Sequence, residues 1–323
     1  MVKQWEHLSV LVVGCGSIGK RHANVLKTLR VGDVRACDPI PERRDSLLSQ
    51  VPSVRMYESF DAALADRPDT VVMCTPTAQH IPMAIQALRA GCHVLCEKPL
   101  SHTTESIDEL KAVAADENKK VAVAHCFRHH DGLVKAKRYL DSGRVGRLVS
   151  VRALVGEHLP DVRPDYHELY LAKYGGAFEL MHEVDLAIWY AGRPIRKVAC
   201  LHGSYSDIGL ESPDIVEILI DFEGCCMASI HLDFFQRPRR RQTELICTQG
   251  VLMVEFARWD RCTLSVYEAS KGRWEDELLA TERDDMFRAE DREFLQAVAE
   301  GGPITCSVEE ARKSVEVILA AQS

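Results

Sequence analysis

The sequence lacks any run of about 18 apolar residues, the length that a membrane-spanning helix requires. Its start, Met1 to Ser9, carries Lys3, Glu6 and His7 and lacks the apolar core of a signal peptide. Positive charge is in short supply, with 40 Lys and Arg against 48 Asp and Glu, a net charge of −8. We therefore expect a cytoplasmic protein that binds neither a membrane nor nucleic acid.

The 12 cysteines include no Cys-x-x-Cys pair, which disfavours zinc ribbons and thioredoxin-type redox sites. Several lie in apolar runs typical of strands, namely Cys37, Cys74, Cys92, Cys96 and Cys247. We interpret them as buried free thiols in a reducing compartment, and we predict no metal site.

The chain of 323 residues is long enough for two domains of ordinary size. In its first 125 residues, short apolar runs alternate with helical patterns. Strands are expected at 8–13, 34–37, 54–57, 70–74, 93–96 and 121–124, with helices at 17–31, 81–88 and 103–115. This alternation predicts a doubly wound α/β domain whose parallel sheet is covered on both faces.

After residue 125 the pattern changes to strands joined by turns, which predicts antiparallel hairpins. The expected strands are 148–155, 197–202, 215–222, 227–234, 243–247, 251–256 and 263–267, and the expected helices are 134–140, 177–190, 286–299 and 307–321. We therefore place a first domain at 1–125 and a second, α+β domain at 126–323.

A glycine-rich loop, Gly14-Cys-Gly16-Ser-Ile-Gly19, joins the first predicted strand to the first helix. Gly14 permits a tight turn, Gly16 lets the backbone approach a pyrophosphate, and Gly19 allows close packing of helix and strand. The helix starts at Ser17 and Ile18, where free N–H groups favour an anion. The loop predicts a dinucleotide site; a glycine turn without a ligand is the alternative.

Asp38 ends the second predicted strand, 19 residues after Gly19, where an acidic side chain accepts hydrogen bonds from a ribose. Its charge would repel a 2′-phosphate, so we predict NAD rather than NADP. Arg43 and Arg44 follow closely, so binding of NADP remains an alternative. Arg43 is a further candidate contact to the cofactor.

Glu97-Lys98-Pro99 follows the fifth predicted strand, at the edge where doubly wound sheets bind ligands. An ammonium there is suited to stabilising a developing alkoxide. Pro99 restricts Lys98 to extended geometry and so helps to aim it. A surface lysine before a turn is the alternative. The same edge is expected to carry three residues that follow the fourth strand, Thr75, Pro76 and His80.

Glu179, His182 and Asp185 recur every three residues after Gly175-Gly176, which places them near one face of the predicted helix. Oxidation of a secondary alcohol requires loss of the hydroxyl proton, and histidine titrates near neutrality. A neighbouring carboxylate would orient the imidazole. A histidine in this setting, taken alone, is more often a hydrogen-bonded structural residue, and the glycine loop and the Lys98-Pro99 turn favour the functional interpretation of His182.

The chain resembles the glucose-fructose oxidoreductase, inositol dehydrogenase and rhizopine-catabolism family of NAD(P)-dependent sugar and cyclitol oxidoreductases. The matching motifs stand in the family's order: Gly14 to Gly19, Cys74-Thr-Pro-Thr-Ala-Gln-His80, Glu97-Lys98-Pro99-Leu100, and Gly175-Gly176 leading to His182-Glu-Val-Asp185. The resemblance implies an N-terminal Rossmann domain and a C-terminal domain with a large, open, mainly antiparallel sheet. It also implies a homodimer or homotetramer formed through that sheet.

For the site, the resemblance implies that Lys98 contacts substrate and nicotinamide and that His182 is the general base or acid. The family often has Asp upstream of this histidine, whereas this chain has Glu179. A closer branch is suggested by Phe127-Arg128-His129-His130 and by the segment from Glu157 to Tyr166. If that branch applies, the substrate contacts are Arg128, His130, Arg163, Tyr166 and Asp185.

The segment from Arg163 to Lys173, which includes Tyr170, is expected either to cover the substrate or to be an ordered surface loop. Arg237-Pro-Arg-Arg-Arg241 is the strongest basic cluster. We interpret it as a solvated hairpin loop, with a grip on a phosphate-bearing substrate as the alternative. It is short and lacks the interleaved aromatic residues of a nucleic-acid patch.

These features predict an NAD-dependent oxidoreductase that acts on a sugar, a sugar derivative such as a nucleotide sugar, or a cyclitol such as inositol. Lys98 would orient the hydroxyl and His182 would take its proton. The alternatives are reduction of an aldehyde or unsaturated ring at the same site, a recycled cofactor, or a non-catalytic NAD(H)-binding regulator.

Overall fold

The computed structural model describes residues 4–163 and 175–323, and the predicted contact Tyr166 lies outside them. The chain up to His129 forms one compact unit with Asp284–Val315; the described part of His130–Arg283 forms a second with Glu316–Ser323. Over the described ranges, no helix combines the length and apolar character needed to cross a bilayer.

The first unit contains a six-stranded parallel sheet of β1 (Ser9–Val13), β2 (Asp33–Cys37), β3 (Arg55–Tyr57), β4 (Thr70–Met73), β5 (His93–Glu97) and β6 (Val121–Ala124). Its strand order is β3-β2-β1-β4-β5-β6. The central strands are almost wholly buried because helices cover a doubly wound sheet on both faces. The order reverses between β1 and β4, where such sheets open a crevice for ligands.

The helices of this sheet are α1 (Ser17–Thr28), α2 (Pro41–Gln50), α3 (Phe60–Ala65), α4 (His80–Arg89) and α5 (Ile107–Asp116). The predicted start of α5 near residue 103 is wrong. Ser106 has a positive φ of 60°, a conformation that a right-handed helix does not accept, and α5 begins at the next residue.

The second unit contains an eight-stranded sheet of β7 (Leu148–Gly156), β8 (Ile195–Gly203), β9 (Ile215–Phe222), β10 (Cys226–Asp233), β11 (Arg240–Cys247), β12 (Gly250–Glu255), β13 (Arg261–Glu268) and β14 (Arg273–Ala280). The order is β14-β13-β12-β11-β7-β10-β9-β8. Only β7 and β10 pair in parallel; the other pairs are antiparallel. The predicted α/β and mainly antiparallel fold classes are confirmed.

The other helices are α6 (Asp131–Asp141), α7 (Leu159–Val162), α8 (His182–Ala191), α9 (Asp285–Glu300) and α10 (Val308–Gln322). The segment 284–315 lies in the first unit, where the Val123 N–H donates to the Cys306 carbonyl at 3.0 Å.

Strand β14 was missed by sequence analysis because four of its eight residues are charged, a composition that suits an exposed edge strand.

The single helix predicted over 177–190 is also wrong. Gly176–Leu180 is a 3₁₀ turn, and α8 begins only at His182. Gly176 has φ +74°, and a side chain there would stand 2.4 Å from the Pro213 carbonyl. This close approach requires a tight turn at Gly176, so the α-helix begins only after the turn.

One strand pair of the second sheet predicts a pH-dependent stability. His231 lies opposite Glu217, with Nδ1 at 2.6 Å from its carboxylate, and Nε2 lies 2.9 Å from Asp233. The hydrogen bond to Asp233, opposed by burial and aided by Glu217, raises the pKa of His231 to about 9. The folded state therefore keeps a proton that the unfolded chain loses above about pH 6.5.

We expect the free energy of unfolding to fall by about 2 kcal/mol between pH 6.5 and 9 because of this residue. The measurement is denaturant unfolding over that range for the wild type and for His231→Gln. In the variant, the free energy of unfolding should lose this part of its dependence on pH. Identical pH profiles for the two proteins would show that His231 does not cause this pH dependence.

Candidate active site

The glycine loop between β1 and α1 is shaped by close backbone approaches. A side chain at Gly14, which has φ +96°, would stand 2.5 Å from the Cys74 carbonyl; one at Gly19 would stand 1.8 Å from the Gly14 carbonyl. A side chain at Gly16 would meet no atom within 4 Å. Gly14 and Gly19 therefore serve local packing, whereas Gly16 borders open space.

Open space at Gly16 lies at the beginning of α1, where no side chain caps the helix. The N–H groups of the first helical turn, including those of Ser17 and Ile18, have no intrahelical acceptor and attract an anion.

Asp38 lies beside the same loop, at the end of β2. It is buried, and its carboxylate accepts the Cys15 N–H at 2.8 Å and the Ile40 N–H at 2.9 Å. The guanidinium of Arg43 lies 3.9 Å away and is half exposed. Arg44 instead donates to the Asp38 carbonyl and to Glu58. The carboxylate is thus fixed at the position predicted for ribose contact.

His80 ties together the ends of two neighbouring strands. Its Nε2 lies 2.8 Å from the Thr75 carbonyl, and its Nδ1 lies 2.8 Å from the Pro99 carbonyl. The Thr75 hydroxyl is buried and has no hydrogen-bond partner among the described residues. The turn at Pro76 therefore presents a polar atom that is available to a ligand.

Lys98 follows β5 at the same edge of the sheet, and its backbone is held by its neighbour. Glu97 Oε2 accepts the Lys98 N–H at 3.0 Å, while Oε1 lies 3.2 Å from Nε2 of the buried His22. Burial raises the pKa of Glu97, but hydrogen bonding and charge from His22, with Lys98, lower it overall. The structure thus brings the glycine loop, Asp38, Thr75 and Lys98 to one edge.

Arg128 lies within the first unit and is almost fully buried. Its guanidinium donates to the Thr305 carbonyl at 3.1 Å and lies 3.6 Å from Glu310. The structure therefore gives Arg128 a role in holding the 284–315 segment, and its contact with a substrate stays a prediction.

The predicted proton-transfer residues belong to the second unit. Glu179 lies on the 3₁₀ turn, and His182 opens α8; both are partly exposed. Asp185 is buried one turn further, and its N–H donates to the Met181 carbonyl. Because the turn and the helix are separate elements, the predicted common helical face is interrupted at Met181.

A buried ion pair supports α8 and was missed by sequence analysis. Arg241 on β11 donates to both carboxylate oxygens of Glu183, at 2.6 and 2.9 Å, and both side chains are almost fully buried. The guanidinium also lies over Phe256, whose ring is 5.4 Å from that of His130. The sequence signal for this pairing is the two-residue alternation along β11, which places Arg241 on the buried face of the strand.

Three arginines of the basic cluster, Arg237, Arg239 and Arg241, pair with carboxylates. The interpretation as a solvated loop is wrong for Arg241, which is buried. Arg237 pairs with Asp161 at 2.7 Å, and Arg239 pairs with Glu157 at 3.1 Å. Hydrogen bonding from Arg237 lowers the pKa of Asp161 to about 2. These pairs fix the segment that ends at Arg163, whose side chain is exposed.

The first unit fits a dinucleotide. The uncapped start of α1 suits the pyrophosphate, the space at Gly16 admits it, and the unpartnered Thr75 hydroxyl borders the same edge.

Gly16 offers a test of this fit that separates binding from folding. Its φ of −69° suits any residue, so Gly16→Ala should leave the melting temperature unchanged while its methyl group fills the space for the pyrophosphate. We expect NADH binding, measured by nicotinamide fluorescence, to weaken roughly tenfold or more. Gly19→Ala, which creates a clash, should impair folding as well. Unaltered NADH affinity in Gly16→Ala would contradict the assignment.

Two family models match the chain. One, described as an oxidoreductase family with an NAD-binding Rossmann fold, matches residues 8–125; the other, a GFO/IDH/MocA C-terminal domain, matches residues 133–253. UDP-N-acetylglucosamine 3-dehydrogenase from Acidithiobacillus ferrooxidans is 26% identical over 309 residues, covering 93% of this chain and 91% of that protein. Inositol 2-dehydrogenase from Rhodococcus erythropolis is 28% identical over 218 residues, covering 65% and 61%.

Solved structures agree with these matches. GenD2 from gentamicin A biosynthesis, in complex with NAD, superimposes with a TM-score of 0.84 at 28% identity, covering 99% of this chain and 95% of that chain. Levoglucosan dehydrogenase, in complex with NADH and levoglucosan, has a TM-score of 0.87 at 21% identity, covering 98% and 96%, and shows the shared fold. The predicted family, enzyme class and NAD cofactor are confirmed: this chain belongs to the GFO/IDH/MocA family of NAD-binding oxidoreductases.

Proposed function

We propose that this enzyme transfers a hydride between nicotinamide and a ring secondary alcohol of a sugar, a sugar derivative or a cyclitol. Relatives named as dehydrogenases of inositol, levoglucosan and UDP-N-acetylglucosamine support this substrate class. The observation that carries the proposal is the position of Lys98, at the carboxyl end of β5 in an NAD-binding domain, with its backbone held by Glu97.

NAD, when bound, supplies the hydride acceptor. The start of α1 and Gly16 hold its pyrophosphate, and Asp38 accepts hydrogen bonds from its ribose. NAD is preferred because Asp38 is buried and fixed at that position, where its charge repels a 2′-phosphate. Of the two nearby arginines, Arg43 is half exposed and Arg44 already pairs with Glu58. Thr75, Pro76 and His80 complete the cofactor edge.

Lys98 donates a hydrogen bond to the substrate hydroxyl and stabilises the alkoxide that develops as the hydroxyl proton leaves. His182 accepts the hydroxyl proton, and Glu179 or Asp185 orients its ring. The predicted contacts to the remaining ring hydroxyls are Arg128, His130 and Arg163, with Tyr166 a further candidate from the sequence alone. Reversing both the hydride transfer and the proton transfer gives the reduction of the corresponding ketone.

A substrate screen tests the proposal. Cyclitols, free sugars and nucleotide sugars are each mixed with NAD or NADP, and NADH formation is followed at the nicotinamide absorbance band. We expect turnover with at least one polyol and preference for NAD. Saturable NADH binding without turnover on any polyol would favour the regulator. Oxidation of added NADH by aldehydes or unsaturated rings, with no turnover of any polyol, would favour the reductase.

We also propose that the enzyme assembles as a homodimer or homotetramer through the large sheet. Helices α6 and α8 cover one face of this sheet, while large apolar side chains are exposed at Leu219, Met227, Trp274 and Leu278. An exposed apolar face of this kind is typical of an interface. Light scattering should give at least twice the chain mass.

The free cysteines, most of them buried, suit action in the reducing cytoplasm.

A further inference from the structure

A buried series of charged side chains connects α9 with Lys98 inside the first unit. His22, on α1, is fully buried, and its Nδ1 lies 2.9 and 3.1 Å from the two carboxylate oxygens of Asp291. Its Nε2 lies 3.2 Å from Glu97, the residue whose other oxygen accepts the Lys98 N–H. One imidazole therefore joins two carboxylates, of which one holds the backbone of Lys98.

The environment of His22 favours the charged imidazolium. Both ring nitrogens face carboxylate oxygens, and only the imidazolium can donate to both at once. Burial by itself lowers the pKa of His22, but the charge and hydrogen bond of Asp291, together with Glu97, raise it well above its usual range. The cation in turn keeps Glu97 ionised despite its burial.

A third carboxyl group in this cluster does not compete for the cation. Glu290 is buried, and burial together with the charge of Glu97 raises its pKa well above the usual range. Its Oε2 has no hydrogen-bond partner among the described residues, which suits a neutral acid. The Phe287 ring closes the other side, edge-on to His22 at 5.7 Å.

We propose that His22 and Asp291 are positioning residues for Lys98. Asp291 fixes the imidazolium, the imidazolium fixes Glu97, and Glu97 fixes the Lys98 backbone. On the far side of Lys98, His80 holds the Pro99 carbonyl, so the backbone is restrained at both ends of the turn. The inference rests on the proposed function, in which Lys98 contacts the reacting hydroxyl. A neutral residue at position 22 would leave Glu97 without its ionic partner and release the Lys98 N–H.

Amide hydrogen exchange of the full chain, followed by NMR, tests the proposal without any substrate. In His22→Gln, the Lys98 amide should exchange roughly tenfold faster, because its hydrogen bond to Glu97 is weakened. The Val94 amide of the preceding strand β5, which donates to the Lys120 carbonyl, should keep its rate. Glu290→Gln, a near-isosteric change in the same cluster, should alter neither rate.

A second measurement uses the wild type, so it does not depend on the folding of a variant. The ¹⁵N shifts of His22 should show both ring nitrogens protonated at pH 8. If His22→Gln fails to fold, Asp291→Asn replaces it in the exchange experiment, with the same expected result. Unchanged exchange at Lys98, a neutral His22 at pH 8, or a metal ion held by His22, Glu290 and Asp291 would each overturn the proposal. Failure of the proposed function would appear differently, as full turnover in Lys98→Ala.

Discussion

Lys98→Ala is expected to lower kcat/KM about 10²–10³-fold with the substrate that the screen identifies, because the alkoxide loses its charged hydrogen-bond donor. His182→Ala should cost about 10²–10⁴-fold through loss of proton transfer. NADH binding should be nearly unchanged in His182→Ala, since the pyrophosphate and ribose contacts lie elsewhere. Steady-state kinetics and nicotinamide fluorescence measure the two effects separately.

The pH profile distinguishes the two residues. With His182 as the base, oxidation should be less dependent on pH in His182→Ala than in the wild type over the range in which histidine titrates. Lys111→Ala is the matched control for Lys98, because Lys111 lies in the same unit but pairs with Glu309 at the surface. Near-wild-type turnover in both Lys98→Ala and His182→Ala would refute the proposed roles.

Glu183→Ala is expected to destabilise the second unit by about 3–5 kcal/mol, the usual cost of removing one partner of a buried ion pair. Arg241 is 5% exposed, so its charge would lose a bidentate carboxylate in a dry environment. Calorimetry should show the melting temperature lowered by roughly 10 °C.

An exposed ion pair of the same unit provides the control for this prediction. Arg196 donates twice to Asp221, at 2.9 and 2.5 Å, but both side chains are solvent-accessible. Asp221→Ala should therefore cost no more than about 1 kcal/mol. Equal melting temperatures for the Glu183 and Asp221 variants would show that burial of the Glu183 pair does not contribute as argued.

The first sheet could be predicted from the sequence because its strands are continuously apolar and its glycine loop has a defined geometry. All six strands begin and end within one residue of their predicted bounds. Strand β14 was not predicted because edge strands tolerate charged residues. The break before His182 was not predicted because it depends on a contact between Gly176 and the distant Pro213.

The supporting residues escaped for a related reason. His22 and Asp291 are 269 positions apart in the sequence, and Glu183 and Arg241 are 58 positions apart. No local sequence pattern therefore indicates either pair. The sequence could nominate Lys98 and His182 because each follows a recognisable motif. It could not indicate which buried charges hold them, since that depends on tertiary packing.

The central claim is that a hydride leaves a ring carbon of a polyol for nicotinamide with the help of Lys98. The most direct test incubates the enzyme and NAD with substrates deuterated at every carbinol carbon, myo-inositol and glucose among them, and weighs the NADH by mass spectrometry. We predict that the wild type forms deuterated NADH and that Lys98→Ala forms little of it in the same time. NAD that is never converted to deuterated NADH by any polyol, on an enzyme that binds NADH, would contradict the claim.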